Sequence, residues 1–520
     1  MTGKKNFENN IFILSIIFLP VNCFWLKFPL TGRSLPCLFM MIGVLFYGFR
    51  IIKCRFLLNK FEKLGLFYLF VCCFWQIIST FIGVNEYGYY NLFSLEQTEG
   101  LRHLLQTIRN VGVNITDATA IKIWTGLRFI KSCFVNVILR YGISLWVYHL
   151  FQADTDRAGL DNEDNGLINR LNFAINILCI ILIIYSAFEI GYLRGNQFCR
   201  DLLTLVNPLL YEPQIMHGWW PPLLWKNQLR SLFAEPSFFG LGSTFIVPFL
   251  FYKILKSKDV PFTWICYAAF TIMLFMTRAR TAVLLFIIQI FMLLLYSCGI
   301  NRKFFRKTIV VLVITVLSFG FALFLMSGFK DPSVISSNTK NESVQETVSN
   351  YVGDNVASVV GNKRSNSARF ANVRASILTG LQNPVFGVGT GLASAYINAN
   401  LTEEDLSNDE VKNWSRYMYR EGPVNAPFPN LNQFSVEIAQ YGIPGLIMYL
   451  LPVFYIFQQL LKLKKQKFNT EIACFFIAYI GSCIGMLSNE AFFTYYVLTG
   501  IMISLLHIER QERKTGNGFG

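Results

Sequence analysis

Charge is scarce in this 520-residue chain. Lys, Arg, Asp and Glu make up 15% of it, against 53% hydrophobic residues and 50 phenylalanines. It therefore lacks the polar surface that an ordinary globular domain presents to water. Histidine is scarcer still: His103, His149, His217 and His507 form no cluster. There is no HExxH, no Walker-type phosphate loop and no GxSxG with a partnering histidine, which argues against zinc proteases, P-loop nucleotide hydrolases and serine hydrolases. No CxxC pair and no zinc-like cysteine spacing occur. Cys72, Cys73, Cys179, Cys266, Cys474 and Cys483 fall inside apolar runs, where they read as small hydrophobes. Cys199 alone falls in a segment expected outside the membrane, and one thiol builds no disulfide framework. No metal or redox cofactor is implied. A small-residue signal-cleavage site is also missing after Lys4 and Lys5, so the first apolar stretch reads as an uncleaved span.

Long apolar runs are what the chain has instead. Stretches of about 20 residues match the ~30 Å hydrocarbon core of a bilayer. They fall at 11–26, 34–50, 64–83, 129–150, 171–193, 236–255, 261–277, 281–299, 309–327, 433–459, 472–488 and 491–507. The fold class expected is an all-α polytopic membrane protein with about 12 transmembrane helices. A net charge of +15 would suggest nucleic acid as the partner of a soluble protein. Here much of it sits in short loops beside the spans, where topology explains it without nucleic acid. Clusters at Arg50, Lys53, Arg55, Lys60 and Lys63, at Lys253, Lys256 and Lys258, at Arg302, Lys303, Arg306 and Lys307, and at Lys462, Lys464, Lys465 and Lys467 fall on one side of the count. The positive-inside bias makes that side cytoplasmic, together with both termini.

Three polar segments then face the outside of the membrane, which in a Gram-negative cell is the periplasm, away from cytoplasmic nucleotides. The organisation expected is an N-terminal bundle over 1–327 with outer loops 85–122 and 194–235. A large outer loop follows over 328–432, then C-terminal helices and a cytoplasmic tail over 433–520.

The outer segments hold the residues suited to chemistry. Arg230, Arg278, Arg280, Arg369 and Arg374 stand near the outer surface. A guanidinium stays charged and donates paired hydrogen bonds to phosphate, so several converging would hold a diphosphate. The plainer reading for Arg278 and Arg280 is snorkelling from helix ends. Outer arginines run against the positive-inside bias, which favours a ligand. Glu235-Pro236-Ser237 enters the sixth span. Pro236 suits a first helical turn, and a carboxylate there is favoured by the helix dipole, so Glu235 is either a cap or a base at the bilayer edge. Glu437 lies one turn inside the tenth span, where a carboxylate is costly and by default functional.

Apolar residues at Phe370, Val373, Ile377 and Leu381 predict a helix over 369–381, ended by Asn383-Pro384. Gly387, Gly389 and Gly391 then allow tight turns or close approach of backbone to a ligand. Residues 330–366 are rich in Ser, Asn, Val and Lys, with little to pack. Trp219 and Trp220 either stack on sugars or join an interfacial aromatic belt. Asp154-Thr-Asp156 lies in an acidic, Asn-rich run on the inner side and reads as a chance likeness to a metal-binding DxD.

Taken in order, these motifs resemble the O-antigen polymerase and O-antigen ligase superfamily (Wzy type and its relatives). The likeness rests on Thr277-Arg278-Ala-Arg280-Thr281, and on Arg369 placed before Asn383-Pro384-Val-Phe-Gly387-Val-Gly389-Thr-Gly391. It rests also on Asn432 leading into Ala439-Gln-Tyr-Gly442-Ile-Pro-Gly445, and on Glu235-Pro236-Ser237. It covers roughly residues 231–446.

The resemblance implies a GT-C-like, inverting, metal-independent glycosyltransferase with short helices in its large periplasmic loop, seated in the bacterial inner membrane. It would transfer a growing glycan from undecaprenyl diphosphate to the non-reducing end of a lipid-linked repeat unit. In that reading Arg280 stabilises the leaving diphosphate, Glu235 and Glu437 compete as base, and Arg230, Arg278, Arg369, Arg374 and Asn432 hold substrate. The implied partners are lipid-linked oligosaccharide and polymer, membrane lipid, a chain-length regulator and a flippase. No cofactor is implied. Leu431 stands where ligase members carry a histidine before the asparagine, which argues for polymerisation over ligation by a histidine base. The ligase, joining polymer to lipid A-core, is the nearest alternative. A flippase or transporter would carry charges deep in several spans and paired broken helices. Only charges such as Arg140 and Glu189 stand out, and no inverted repeat is evident.

Overall fold

The structure is a computed structural model that describes residues 2–54, 58–85, 99–158, 166–211, 228–256, 261–300, 302–329, 344–353, 364–423, 425–463 and 469–514. The aromatic run at 217–220, residues 159–165 of the acidic run, and 330–343 and 354–363 of the Ser/Asn-rich stretch lie outside the described residues.

Each expected span has a helix under it. These are α1 (Thr2–Ile17), α2 (Leu35–Cys54), α3 (Lys60–Asn85), then, after a short α4 (Glu99–Asn110), α5 (Asp117–Val137) running through a π turn (Ile138–Gly142) into α6 (Ile143–Ala158). They continue as α7 (Leu167–Leu193), a short α8 (Gln197–Leu210), α9 (Pro236–Lys256), α10 (Pro261–Met276), α11 (Arg280–Cys298) and α12 (Arg302–Met326). After α13 (Val344–Val352) come four helices of the polar stretch: α14 (Arg364–Gln382), α15 (Ala393–Ala399), α16 (Glu403–Ser407) and α17 (Asp409–Glu421). The chain closes with α18 (Gln433–Leu463), α19 (Thr470–Gly485) and α20 (Phe493–Lys514). Among the described residues eight helices are long and apolar enough to cross a membrane, and Phe7–Ile17, α10 and α19 are shorter apolar helices. Among the described residues the only extended pairing is an isolated bridge between Phe28 and Gly32. This is an all-helical polytopic membrane protein.

The first span differs from its expected limits of 11–26. Its helix stops at Ile17, because Pro20 has no N–H to continue the ladder and Val21 instead donates back to the Phe18 carbonyl at 2.9 Å.

The bundle is built around α9. Some 89% of its spanning window is buried inside the protein, against 28% for α12. Apolar side chains gain little by leaving lipid for a protein interior, so close packing of small residues has to hold spans together. Helix α9 supplies them: a Cβ added at Gly240 would sit 2.5 Å from the Cβ of Ala282 on α11, and one at Gly242 would enter the Phe233 ring. Polar contacts reinforce the seam. Gln289 of α11 donates to the Thr244 carbonyl at 2.8 Å, and the Thr244 hydroxyl meets that of Ser482 on α19 at 3.2 Å.

A second construction lies at the end of the bundle where α9 and α11 begin. Helix α18 breaks at Gly442 (φ 68°, ψ −169°), and Pro444 brings no N–H for the Gln440 carbonyl. The glycine-rich turn after α14 takes up the orphaned groups. Val388 N donates to Ala439 O and Gly389 N to Gln440 O, both at 2.9 Å, while Ile443 N donates to Pro384 O at 2.8 Å. The broken helix and the turn are thus one hydrogen-bonded unit.

Candidate functional site

Four segments far apart in sequence meet where α9 and α11 start. The first is the loop before α9. Glu235 is its cap: its carbonyl accepts from Phe238 N and Phe239 N at 3.1 and 3.2 Å, and its Oε2 accepts from the Ser237 hydroxyl at 3.1 Å. The second is the turn from α10 into α11, tied to the first by Leu229 N donating to Met276 O at 3.0 Å. Each of these loops holds a non-glycine residue in the left-handed region, Ser231 at φ 54° and Arg278 at φ 52°, the only two such among the described residues. Backbone of that kind costs of order 1–3 kcal/mol and tends to cluster at functional sites.

The third segment is the first half of α14. Asn366 and Arg369, three residues apart, lie on the same side of the helix. Arg280 Nη1 donates to Asn366 Oδ1 at 3.2 Å, which sets the start of α11 against α14. The fourth is the α19–α20 loop, whose Ser488 carbonyl accepts from Arg369 Nη1 at 2.6 Å. Burial lifts the Glu235 carboxyl above its ordinary pKa, with the Ser237 hydroxyl and the Arg369 charge opposing the rise. Burial pulls Arg369 down; Glu410 and Glu235 resist, and the like charge of Arg280 adds to the fall. Two carboxylates, Glu235 and Glu410, and two guanidiniums therefore bear on one half-buried site in which their charges are felt strongly.

Of the residues singled out in the sequence, Glu235, Arg280 and Arg369 are brought together. The others make different contacts. Arg278 sits within electrostatic reach of Tyr351 on α13. Arg230 is buried, its guanidinium 4.5 Å from the centre of the Tyr211 ring, while its backbone N–H and that of Ser231 bind the Glu189 carboxylate at 3.1 and 2.7 Å. Arg374 pairs with Asp405 of α16. Asn432 caps α18, accepting from Ser435 N and donating to Leu487 O, both at 2.9 Å.

Glu437 is buried against Arg140, which the π turn between α5 and α6 directs inward. Its Oε1 also accepts from Gln433 Nε2 at 2.7 Å. Gln433 in turn accepts from Ala491 N at 2.9 Å and donates its own N–H to Met486 O at 3.0 Å. The Arg140–Glu437–Gln433 chain thus braces the loop that carries Ser488. In the sequence Arg140 and Glu437 are two opposite charges, each alone at depth in its own apolar span, and nothing in their spacing pairs them. Gln433, Asn366 and Ser488 gave no signal.

The Gly387-Val-Gly389-Thr-Gly391 turn approaches protein backbone closely. A Cβ at Gly387 would meet Gln440 and Tyr441 backbone at 2.4–2.5 Å, and one at Gly389 the Thr80 Cα of α3 at 2.6 Å.

Residues 265–450 match a family model described as O-Antigen ligase. This stretch takes in Arg278, Arg280, Arg369, the glycine-rich turn and the break in α18. No curated protein matches the chain.

Proposed function

From the premise that this chain belongs to the O-antigen polymerase and ligase superfamily, we propose that it is a surface-polysaccharide polymerase. It transfers a growing glycan from undecaprenyl diphosphate to the non-reducing end of a lipid-linked repeat unit, at the periplasmic face of a bacterial inner membrane. The observation that carries this reading is the meeting of Glu235, Arg280 and Arg369 at one end of the bundle.

Each demand of the reaction finds a group there. The bond from the sugar's anomeric carbon to the diphosphate breaks, and Arg280 and Arg369 stabilise the charge gathering on the departing phosphate. A hydroxyl of the acceptor sugar attacks the anomeric carbon from the opposite side, giving inversion, and its proton passes to the Glu235 carboxylate. The phosphoglycosyl bond is already activated, so no nucleotide is consumed. Glu437 is not given the base's role here, because Arg140 and Gln433 occupy its carboxylate; it acts as a brace.

A second reading is the ligase, which uses the same donor and a lipid A-core acceptor. The description of the matching family favours it; Leu431, in place of the histidine before Asn432, favours the polymerase. A lipopolysaccharide gel from a deletion strain complemented with wild type, Glu235→Gln, Arg280→Ala or Arg369→Ala separates them. The polymerase predicts core bearing a single repeat unit in the deletion and in the variants, with the ladder restored by wild type. Bare core with lipid-linked polymer accumulating would establish the ligase instead. A full ladder from all three variants would remove the site.

A further inference from the structure

We infer that the second half of α14 and the glycine-rich turn after it form a re-entrant hairpin, dipping into the leaflet on the Arg369 side with a face that takes lipid acyl chains. The inference concerns where this segment lies and what covers it, and it stands apart from the reaction proposed above.

Three observations converge. The first is depth. Gly380 lies against the Ile438 carbonyl, where an added Cβ would come within 2.7 Å, and Gly387 against Gln440 and Tyr441. At 1.5 Å per residue those contacts lie about 8 to 12 Å inside the Gln433 end of α18. Gly389 packs on Thr80, about 8 Å inside the Asn85 end of α3 on the same measure. Both α3 and α18 are long and apolar enough to cross a membrane, so the turn lies alongside two candidate spans and not beyond their ends.

The second is the faces of α14. Its small residues, Ala368, Ala371, Ala375, Ser376 and Gly380, are buried, while Phe370, Ile377 and Leu381 are exposed at 75%, 40% and 56%. Val385 in the turn is 52% exposed. This stripe runs on through the Pro384–Ile443 hydrogen bond to Ile443, Ile447, Leu451 and Phe454, the exposed apolar side of α18. Continuity with a span's outward face identifies the occupant as the hydrocarbon that surrounds that span.

The third is polarity. Residues 375–402 contain no Asp, Glu, Lys, Arg or His, whereas 403–421 contain nine charged residues. The Arg374–Asp405 pair stands at the boundary. Non-helical backbone at membrane depth has to be satisfied by protein, and four N–H groups of the turn are. The N–H groups of Gly387, Val388 and Gly389 donate to the carbonyls of Asn383, Ala439 and Gln440, and that of Thr390 donates to the Thr80 hydroxyl.

Photocrosslinking in native-length protein tests this. p-Benzoylphenylalanine is placed in turn at Ile377, Leu381 and Val385, at Leu451 as the in-membrane reference, and at Glu404 and Tyr417 as water-facing references, in phosphatidylcholine vesicles. All six side chains are exposed on the protein, so each substitution is tolerated by the packing. The expected result is lipid-mass adducts at Ile377 and Leu381 approaching the yield at Leu451 and several-fold above Glu404. Yields at the hairpin no higher than at Glu404 would overturn the inference. So would adducts to a second protein chain, which would make the stripe a protein-docking face. The lipopolysaccharide gel has no bearing on either outcome.

Discussion

Arg369 gives one of its N–H donors to the Ser488 carbonyl, and that bond fixes a planar fork beside Glu235 and Arg280. A lysine there keeps the charge and loses the fork. Arg369→Lys is therefore expected to retain only a small part of wild-type activity. Arg369→Ala should lose about 100- to 1,000-fold, the scale for removing one preorganised donor to a developing anion; polymer synthesis from purified lipid-linked repeat units measures both. Glu235 makes a prediction about pH. A base has to be ionised, so the rate rises with pH as Glu235 deprotonates. Burial lifts its pKa above 4.5, so the acidic limb of the rate profile should lie above the ordinary carboxylate range. Glu235→Gln should remove that limb; an unchanged limb would assign the base elsewhere. The sequence made these residues legible because arginine outside the membrane and a carboxylate at its edge are both out of place. It did not show that Arg230, Arg278 and Arg374 have other surroundings, since Tyr211, Tyr351 and Asp405 come from elements whose positions only packing determines.

At the scale of the element, periodicity identified α14 and not its orientation. The Phe370, Val373, Ile377 and Leu381 stripe predicts a helix without saying what the stripe faces. In a membrane, lipid and protein interior are equally apolar, so the stripe alone does not tell which it meets; the small residues opposite do. The glycine-rich turn was likewise legible as a place of close approach, but its partner, the broken α18, was hidden because the break depends on Gly442 and Pro444 acting together. Gly442 holds a φ and ψ pair open essentially to glycine alone, with Val385 O 2.5 Å from where a Cβ would stand. Gly442→Ala is expected to cost about 1–3 kcal/mol and to loosen the hairpin, seen as a lower thermal midpoint in detergent and faster proteolysis between 383 and 391. On α9, Gly240→Val meets Ala282 on α11 and should cost about 1–3 kcal/mol by overpacking, with the loss appearing in the same thermal measurement.

Across the whole molecule, α5–α6 and α18 are joined by a charge pair nearly 300 residues apart in sequence, Arg140 with Glu437. Removing one partner strands a buried charge and costs about 3–5 kcal/mol, whereas replacing both by apolar groups of similar volume is often near neutral. Arg140→Met and Glu437→Leu should each unfold the protein at markedly lower temperature, and the double variant should recover most of the loss. The double variant also separates brace from base. Activity recovered along with stability makes Glu437 structural, and a stable but inactive protein would return it to the chemistry. The fold class was legible because hydrocarbon thickness acts on each run independently. The coupling was not, because it belongs to the pairing of distant spans.

Helix α9 has almost no face for lipid, and this bears on how the protein is made. Its partner α19 lies more than 200 residues further along the chain, so α9 leaves the ribosome long before Ser482 and Gly485 reach it. Until then its glycine, serine and threonine positions have no close-packed neighbour on that side. On the proposed reading, Glu235 and Arg280 are made early, but Arg369 gains its Ser488 support only with the last two spans. The order of synthesis then leaves the proposed site without that support until the final helices are in place.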